Sequence, residues 1–365
     1  MSGAHTFPPE PRILVITMRR LGDVLLTTPL VHALRRGIPG ARVDVLVFRG
    51  TEGILAGNPD IDHVITVPER PSAVAMTRLV GQLWRRYDLA LSTQTGDRPT
   101  FLAAIAGRFR VGLVPKNAAG WKRLALNLCV TAESDLHRVL ELQRLAGALG
   151  IDAPPQIVLP QSQTPPPARP RYAVLHANPM YRIRRWTDAG WRALAQALHE
   201  RGLAVVVTGG PSADERDYLD RLWNPVQPPV ERCDGRLPWG EMAQLLSGAA
   251  VYVGPDTSMT HLAAGAGCPT VAIYGPASPR GMGPWPVGGL REPWAHAGTI
   301  QQRGNVWLVQ NPLPCMPCDR LGCERHLESY SVCLDELPAR QVIAAVDSAL
   351  GRIAAVPSVL PASAK

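Results

Sequence analysis

The sequence predicts an α/β protein made of two doubly wound halves. Three observations predict it. Short β-branched runs alternate with helical stretches, the pattern of parallel strands covered by helices on both faces. The alternation breaks at a Pro-rich stretch and then restarts. The chain has 365 residues, more than the roughly 100–200 of a typical domain.

In the first half, strands are expected at Ile13–Thr17, Val43–Phe48, Val64–Val67 and Leu89–Ser92. Helices are expected at Val24–Arg36, Ala73–Tyr87, Thr100–Arg108 and Leu136–Leu149. Residues 154–171, PPQIVLPQSQTPPPARPR, can continue neither a helix nor a central strand, because proline removes the N–H donor. The second half then places strands at Tyr172–His176, Ala204–Thr208, Val251–Gly254, Thr270–Tyr274 and Val306–Val309. Its helices are Thr187–Arg201, Ala213–Leu222, Trp239–Ser247, Met259–Ala266 and Pro338–Ile353. Thr187 precedes Asp188 as a cap, and Ser212 with Glu215 forms a capping-box pattern. The expected boundaries are a first domain over 1–155, a linker over 156–171, a second domain over 172–335 and a terminal helix and tail over 336–365. Ligands of such sheets sit outside the carboxyl ends of the strands.

Composition narrows the class. Hydrophobic residues are 46% and charged residues 19%, which excludes a disordered chain. The 36 Pro and 33 Gly fall short of a low-complexity composition. No apolar run approaches the roughly 18 residues of a membrane span. The opening MSGAHTFPPEPR has no apolar signal core, so a cytoplasmic protein is expected. Residues 1–160 carry 19 Lys/Arg against 13 Asp/Glu, and residues 161–365 carry 19 against 17. Such a surplus suits an anionic partner or a solvated surface. No nucleic-acid-binding motif accompanies it.

Several segments could carry chemistry. Met18-Arg19-Arg20-Leu21-Gly22-Asp23 lies between the first strand and the first helix. Asp23 is there either a helix cap or a carboxylate base. Pro255-Asp256-Thr257-Ser258-Met259-Thr260-His261 follows an apolar strand and opens a helix, a ready anion site. Arg184 and Arg185 precede another helix and could clamp a diphosphate. Gly209-Gly210-Pro211-Ser212, with Glu215 beyond, is a Gly-rich strand-to-helix turn. Asp60-Ile61-Asp62 is the single Asp-x-Asp and reads better as a turn than as a metal motif.

Cys315, Cys318, Cys323 and Cys333 have the spacing C-x2-C-x4-C-x9-C, with His326 inside it. A C-x2-C pair is the usual knuckle of a thiolate site. A structural zinc or iron and a loop of free thiols are both open. Cys129, Cys233 and Cys268 read as buried hydrophobes.

Together these segments resemble glycosyltransferase family 9, the lipopolysaccharide heptosyltransferases, over about residues 12–350. ILVITMRRLGDVLLTTPLVHALRRGIPGARVDVLVF, RRWTDAGWRALAQALHERGLAVVVTGGP and VYVGPDTSMTHLAAGAGCPTVAIYGPASP carry the resemblance. It is nearest to the heptosyltransferase III type, which adds a branch heptose to the inner core. The Cys cluster is not typical of that type. The resemblance implies a GT-B architecture, two Rossmann-like α/β/α domains across a cleft, with acceptor on the first domain and nucleotide sugar on the second. The final helix would cross back onto the first domain. It implies inverting transfer from ADP-heptose to a heptose or Kdo hydroxyl of an anionic inner core, with no cofactor needed for catalysis. Asp23 matches the family's general base, and Arg19, Arg20 and Gly22 lie on the acceptor side. Asp256, Thr257, Ser258, Met259 and His261 match donor-pocket positions, with Arg184 where many members have lysine, Arg185 beside it and Glu215 toward the ribose. Peripheral contact with the cytoplasmic face of the inner membrane would follow, as in outer-membrane biogenesis of Gram-negative cells. The competing readings are the same chemistry on a protein or another glycan, and a non-catalytic nucleotide-sugar binder.

Overall fold

The computed structural model describes residues 7–351. The chain divides into two compact units, 1–160 and 161–365.

The first unit runs β1 (Arg12–Ile16), α1 (Leu21–Leu25), α2 (Thr28–Gly37), β2 (Arg42–Phe48), β3 (His63–Val67), α3 (Ala73–Leu83), β4 (Tyr87–Ser92), α4 (Asp97–Ala106), β5 (Gly107–Val114), α5 (Gly120–Ala125), β6 (Leu128–Thr131) and α6 (Arg138–Gly147). Its sheet has the order β3-β2-β1-β4-β5-β6, and every pairing is parallel. The order reverses at β1 and β4. Right-handed crossovers therefore put α1 and α2 on one face and α3, α4 and α5 on the other. On the latter face Leu14, Ile16, Leu46, Leu79, Leu83, Leu102 and Ala103 close a core.

The sequence anticipated one helix where α1 and α2 are two. Pro29 at the start of α2 cannot donate to the ladder, and the helix breaks before it. Thr27 and Thr28 hydroxyls then satisfy the Asp23 and Leu25 carbonyls, each at 2.8 Å. β5 and β6 carried no legible strand signal. Gly107 opens β5 because a Cβ there would stand 2.6 Å from the Ala90 Cβ of the neighbouring strand.

The second unit runs β7 (Tyr172–His176), α7 (Asp188–Glu200), β8 (Ala204–Thr208), α8 (Ala213–Trp223), β9 (Glu231–Arg232), α9 (Trp239–Ser247), β10 (Val251–Pro255), α10 (Ser258–Gly265), β11 (Thr270–Ile273), α11 (Pro279–Met282), β12 (Ile300–Arg303), β13 (Val306–Val309), α12 (Val332–Asp335) and α13 (Ala339–Ala349). The order is β12-β13-β11-β10-β7-β8-β9. Only β12 runs antiparallel, against β13. Here the order reverses at β7 and β10. Trp186, Trp191, Leu198, Leu222 and Val346 are among the core residues of one face. Tyr274, Trp294 and Leu308 share a smaller cluster.

α13 packs against α7, β11 and β13 of its own unit. Arg201 at the end of α7 donates to both oxygens of Asp347, at 2.6 and 2.7 Å. Trp186 Nε1 donates to the Leu337 carbonyl at 2.9 Å. Val342, Ala345 and Val346 are buried, so the apolar face of this helix is already satisfied. The expected end of the helix at Ile353 lies outside the described residues.

Candidate functional site

Each unit places its candidate residues where its strand order reverses, the position at which open α/β sheets bind ligands.

In the first unit, β1 leads directly into α1. Asp23 is the third residue of α1, and its residue is 8% exposed. The residue flanking the helix start is Arg20, with no side-chain cap. The capping alternative for Asp23 therefore fails. The carboxylate instead accepts from Arg19 Nε at 3.0 Å. That guanidinium is half-exposed, so the pair sits at a boundary between protein and solvent.

The loop after β4 supports this segment. Gln94 Nε2 donates to the Met18 carbonyl at 2.8 Å. Thr93 Oγ1 donates to the Ile16 carbonyl at 2.9 Å. Two cations hold that loop from behind. Arg138 donates to the Thr93 carbonyl and Lys122 to the Thr95 carbonyl, each at 2.6 Å. Lys122 also meets Asp97 at 2.7 Å. Buried charges need such partners. Gln94, Lys122 and Arg138 were not singled out by sequence reasoning. They lie 71–115 residues from Asp23, and no local spacing connects them.

In the second unit, β10 leads into α10. Thr257 flanks the helix start. Its Oγ1 is buried beside the Tyr252 hydroxyl, which meets Thr260 Oγ1 at 3.0 Å. The first-turn N–H groups of Ser258 and Met259 have no intrahelical acceptor, as at any helix start. Arg184, from a short 3-10 turn at Arg182–Arg184, meets the Asp256 carboxylate at 3.0 Å and donates to its backbone carbonyl at 2.9 Å. A cation and unpaired N–H dipoles thus share the end of β10, an arrangement that favours an anion. His261 is buried in the first half of α10. Tyr274, at the end of β11, is kept protonated by burial and then by the charge of Asp256.

Arg185 does not join that clamp. Its guanidinium lies 4.0 Å from the centre of the Tyr218 ring and donates to Asn178 Oδ1 at 2.7 Å. Ser212 and Thr187 are the caps expected, accepting from Glu215 N at 3.3 Å and Gly190 N at 3.1 Å. The Glu215 carboxylate itself lies against Gly210, where any Cβ would strike it. His176, at the end of β7, meets Thr208 Oγ1 at 3.0 Å. Burial lowers its pKa to about 4, against the smaller opposing pull of Glu215.

Asp60 and Asp62 are structural. His32 meets Asp60 at 2.7 Å. Asp62 accepts from Val43 N at 2.7 Å and from Arg35 at 2.9 Å. Cys315, Cys318, Cys323 and Cys333 are free thiols. The Cys333 thiol is raised to about 12, chiefly by burial. Among the described residues, no three of His, Cys, Asp or Glu stand together as a metal-holding group. His326 turns to Glu324 at 3.2 Å. Of the remaining cysteines, Cys233 and Cys268 are buried as expected, but Cys129 is exposed on the short edge strand β6.

Two doubly wound units, each with polar groups gathered at its switch point, are the design of a GT-B glycosyltransferase. Residues 76–288 match glycosyltransferase family 9 (heptosyltransferase), and the chain belongs to that family. Lipopolysaccharide heptosyltransferase 3 of Escherichia coli is 25% identical over 292 residues, covering 73% of this chain and 84% of that one. Lipopolysaccharide heptosyltransferase 1 of Pseudomonas aeruginosa is 29% identical over 332 residues, covering 86% and 87%. Identity alone thus does not separate the acceptor types. Among solved structures, E. coli heptosyltransferase WaaC with ADP superposes with a TM-score of 0.70 at 22% identity, covering 93% and 99%. The dodecameric iron-containing heptosyltransferase TibC in complex with ADP-D-beta-D-heptose gives 0.56 at 18%, covering 95% and 78%.

Proposed function

We propose that the protein transfers heptose from ADP-heptose to a hydroxyl of the lipopolysaccharide inner core, with inversion and with Asp23 as general base. The observation that carries this reading is the buried carboxylate at the switch point of the first unit, oriented by Arg19 at 3.0 Å. An acceptor hydroxyl gives its proton to Asp23 as its oxygen bonds to the anomeric carbon. The bond from that carbon to the β-phosphate oxygen breaks on the opposite face, and ADP leaves with the electron pair. Arg184 and the first-turn N–H groups of α10 favour that developing charge. Asp256, His261 and Glu215 shape the donor pocket. Arg19, Arg20 and Gly22 meet the acceptor, and Arg185 acts indirectly by holding the loop at Asn178.

The relatives named for lipopolysaccharide support this acceptor class, and the structures solved with ADP and ADP-heptose support the donor. A cytoplasmic enzyme working at the inner membrane fits an acceptor of this kind. The test is ADP release from ADP-heptose and truncated core lipid. Wild-type release should require acceptor. Asp23→Ala should abolish it while keeping ADP affinity. Indifference of turnover to that change would remove the base, and ADP binding without turnover on any core or protein acceptor would favour a non-catalytic binder.

The cysteine cluster belongs to a separate reading, a structural zinc or iron. What supports it is the C-x2-C-x4-C-x9-C spacing, together with Val332 N donating to Cys323 Sγ at 3.5 Å, the second-layer bond that thiolate sites use. A bound metal would deprotonate the thiols and tie the loop after β13 together. Elemental analysis should give about one metal per chain, lost in Cys315→Ser/Cys318→Ser. Metal-free protein with unchanged stability in that variant would exclude it.

A further inference from the structure

We infer that the face of the first unit formed by α3, α4 and α5 docks on an anionic lipid bilayer. The proposal rests on the reading of a lipid-linked acceptor and adds the surface that reaches it.

The first observation is where the charge lies. Residues 68–126 hold ten Lys/Arg against three Asp/Glu, while the rest of 1–160 holds nine against ten. The whole basic surplus of the unit is therefore in the stretch that builds this face. Its acids are largely spent: Asp97 meets Lys122 at 2.7 Å and Asp88 meets Arg108 at 3.3 Å. Arg70, Arg78, Arg98, Lys116 and Arg123 are exposed.

The second observation is an inverted helix. In α5 the lysine is buried and the apolar residues face solvent. Lys122 is 7% exposed, whereas Leu124 is 86% and Trp121 41% exposed. Lys122 is anchored inward on Thr95 and Asp97. This orientation leaves Trp121, Arg123 and Leu124 pointing outward together. Phe101 on α4 and Val74 on α3 are exposed as well, at 47% and 60%. These helices are neighbours, α4 contacting both α3 and α5. Each starts from the carboxyl end of its preceding strand, so Val74, Phe101 and Trp121 lie toward the same edge of the sheet.

An apolar cluster ringed by cations matches a bilayer interface. Leucine and phenylalanine enter the acyl boundary, the tryptophan indole lies at headgroup depth, and arginine and lysine meet lipid phosphates. Such cations are drawn to an anionic lipid surface. Because Asp23 also sits at the carboxyl edge of this sheet, docking there would bring a membrane-held acceptor toward the base.

The experiment is co-sedimentation of the full chain with vesicles of phosphatidylcholine alone or with one-third phosphatidylglycerol. Wild type should partition at least tenfold more strongly to the anionic vesicles, and less so at high salt. Trp121→Ser/Leu124→Ser and Lys116→Glu/Arg123→Glu should each lose tenfold or more. Both should keep wild-type ADP affinity, melting temperature and turnover on de-acylated, water-soluble core acceptor. Equal binding to both vesicle types, or variants that bind like wild type, would overturn the proposal. Lost turnover on the soluble acceptor would also overturn it, assigning the face to acceptor sugars. If no acceptor is ever turned over, the transferase reading fails, while vesicle binding still judges the surface.

Discussion

The two switch points solve opposite problems with different parts. At β1 and β4 the feature is one side-chain carboxylate, Asp23, and the cations nearby are divided by task. Arg19 touches it, whereas Lys122 and Arg138 are tied to backbone carbonyls of the adjoining loop. At β7 and β10 the feature is backbone: a helix start with free N–H groups, and Arg184 tied to Asp256 beside it. On the proposed reading, the first group must accept a proton and needs a precise place and access to solvent, and the second must hold a diphosphate and needs preorganised donors. The first is built by long-range side-chain bonds, the second by local chain geometry.

Substitutions should separate the two regions. Asp23→Asn is expected to lower kcat by about 10²–10⁴, the usual worth of a positioned base, with ADP affinity within twofold by calorimetry. A matching loss of ADP affinity would dissolve the distinction. Arg184→Ala should do the reverse, weakening ADP about ten- to a hundredfold through a lost charge-assisted bond of about 1.5–3 kcal/mol. Arg184→Lys should recover part of it, since the charge returns without the fork.

A smaller effect tests the support of the base. Gln94→Leu removes the bond to the Met18 carbonyl and should cost about 1 kcal/mol. We expect kcat to fall about fivefold at constant ADP affinity, with the pH–rate profile shifted and Gln94→Glu, whose carboxylate cannot donate to that carbonyl, giving no rescue. An unchanged pH profile with lower melting temperature would mark Gln94 as merely structural.

The smallest expectation concerns His176 and stability. Its pKa is lowered to about 4 in the fold, against about 6.5 in an unfolded chain. Between those values the unfolded state binds a proton that the native state refuses, so stability falls as pH drops through that window. Its slope there is at most about 1.4 kcal/mol per pH unit from this group. Urea unfolding from pH 7 to 4.5 should show a shallower decline in His176→Gln than in wild type. Parallel curves would show that the histidine charges freely.

Much of the fold was legible because buried parallel strands are continuous β-branched runs, as in Ile13–Ile16 and Val205–Val207. Less legible were β5, whose GRFRVGLV mixes charges with glycines, and the break between α1 and α2, where Pro29 acts on a segment that is otherwise uniformly helical. The site divided likewise. Asp256 and Thr257 stand directly after β10 and Asp23 in the short helix that follows β1, where local pattern marks them. Gln94, Lys122 and Arg138 act on carbonyls that neighbour them only once the sheet has closed.

Local pattern along the chain fixes the two α/β halves, the strand-to-helix turns that carry Asp23 and Thr257, and the caps at Thr187 and Ser212. Those features follow from periodicity and from hydrogen bonds within a few residues. Tertiary structure decided that Arg184 faces Asp256 while Arg185 turns to Tyr218. It also decided that α13 packs on α7 and that α5 buries its lysine and exposes its leucine. Those outcomes depend on which partners lie close in space, and neighbouring arginines in a chain have the same chemistry until the packed sheet gives each a different partner.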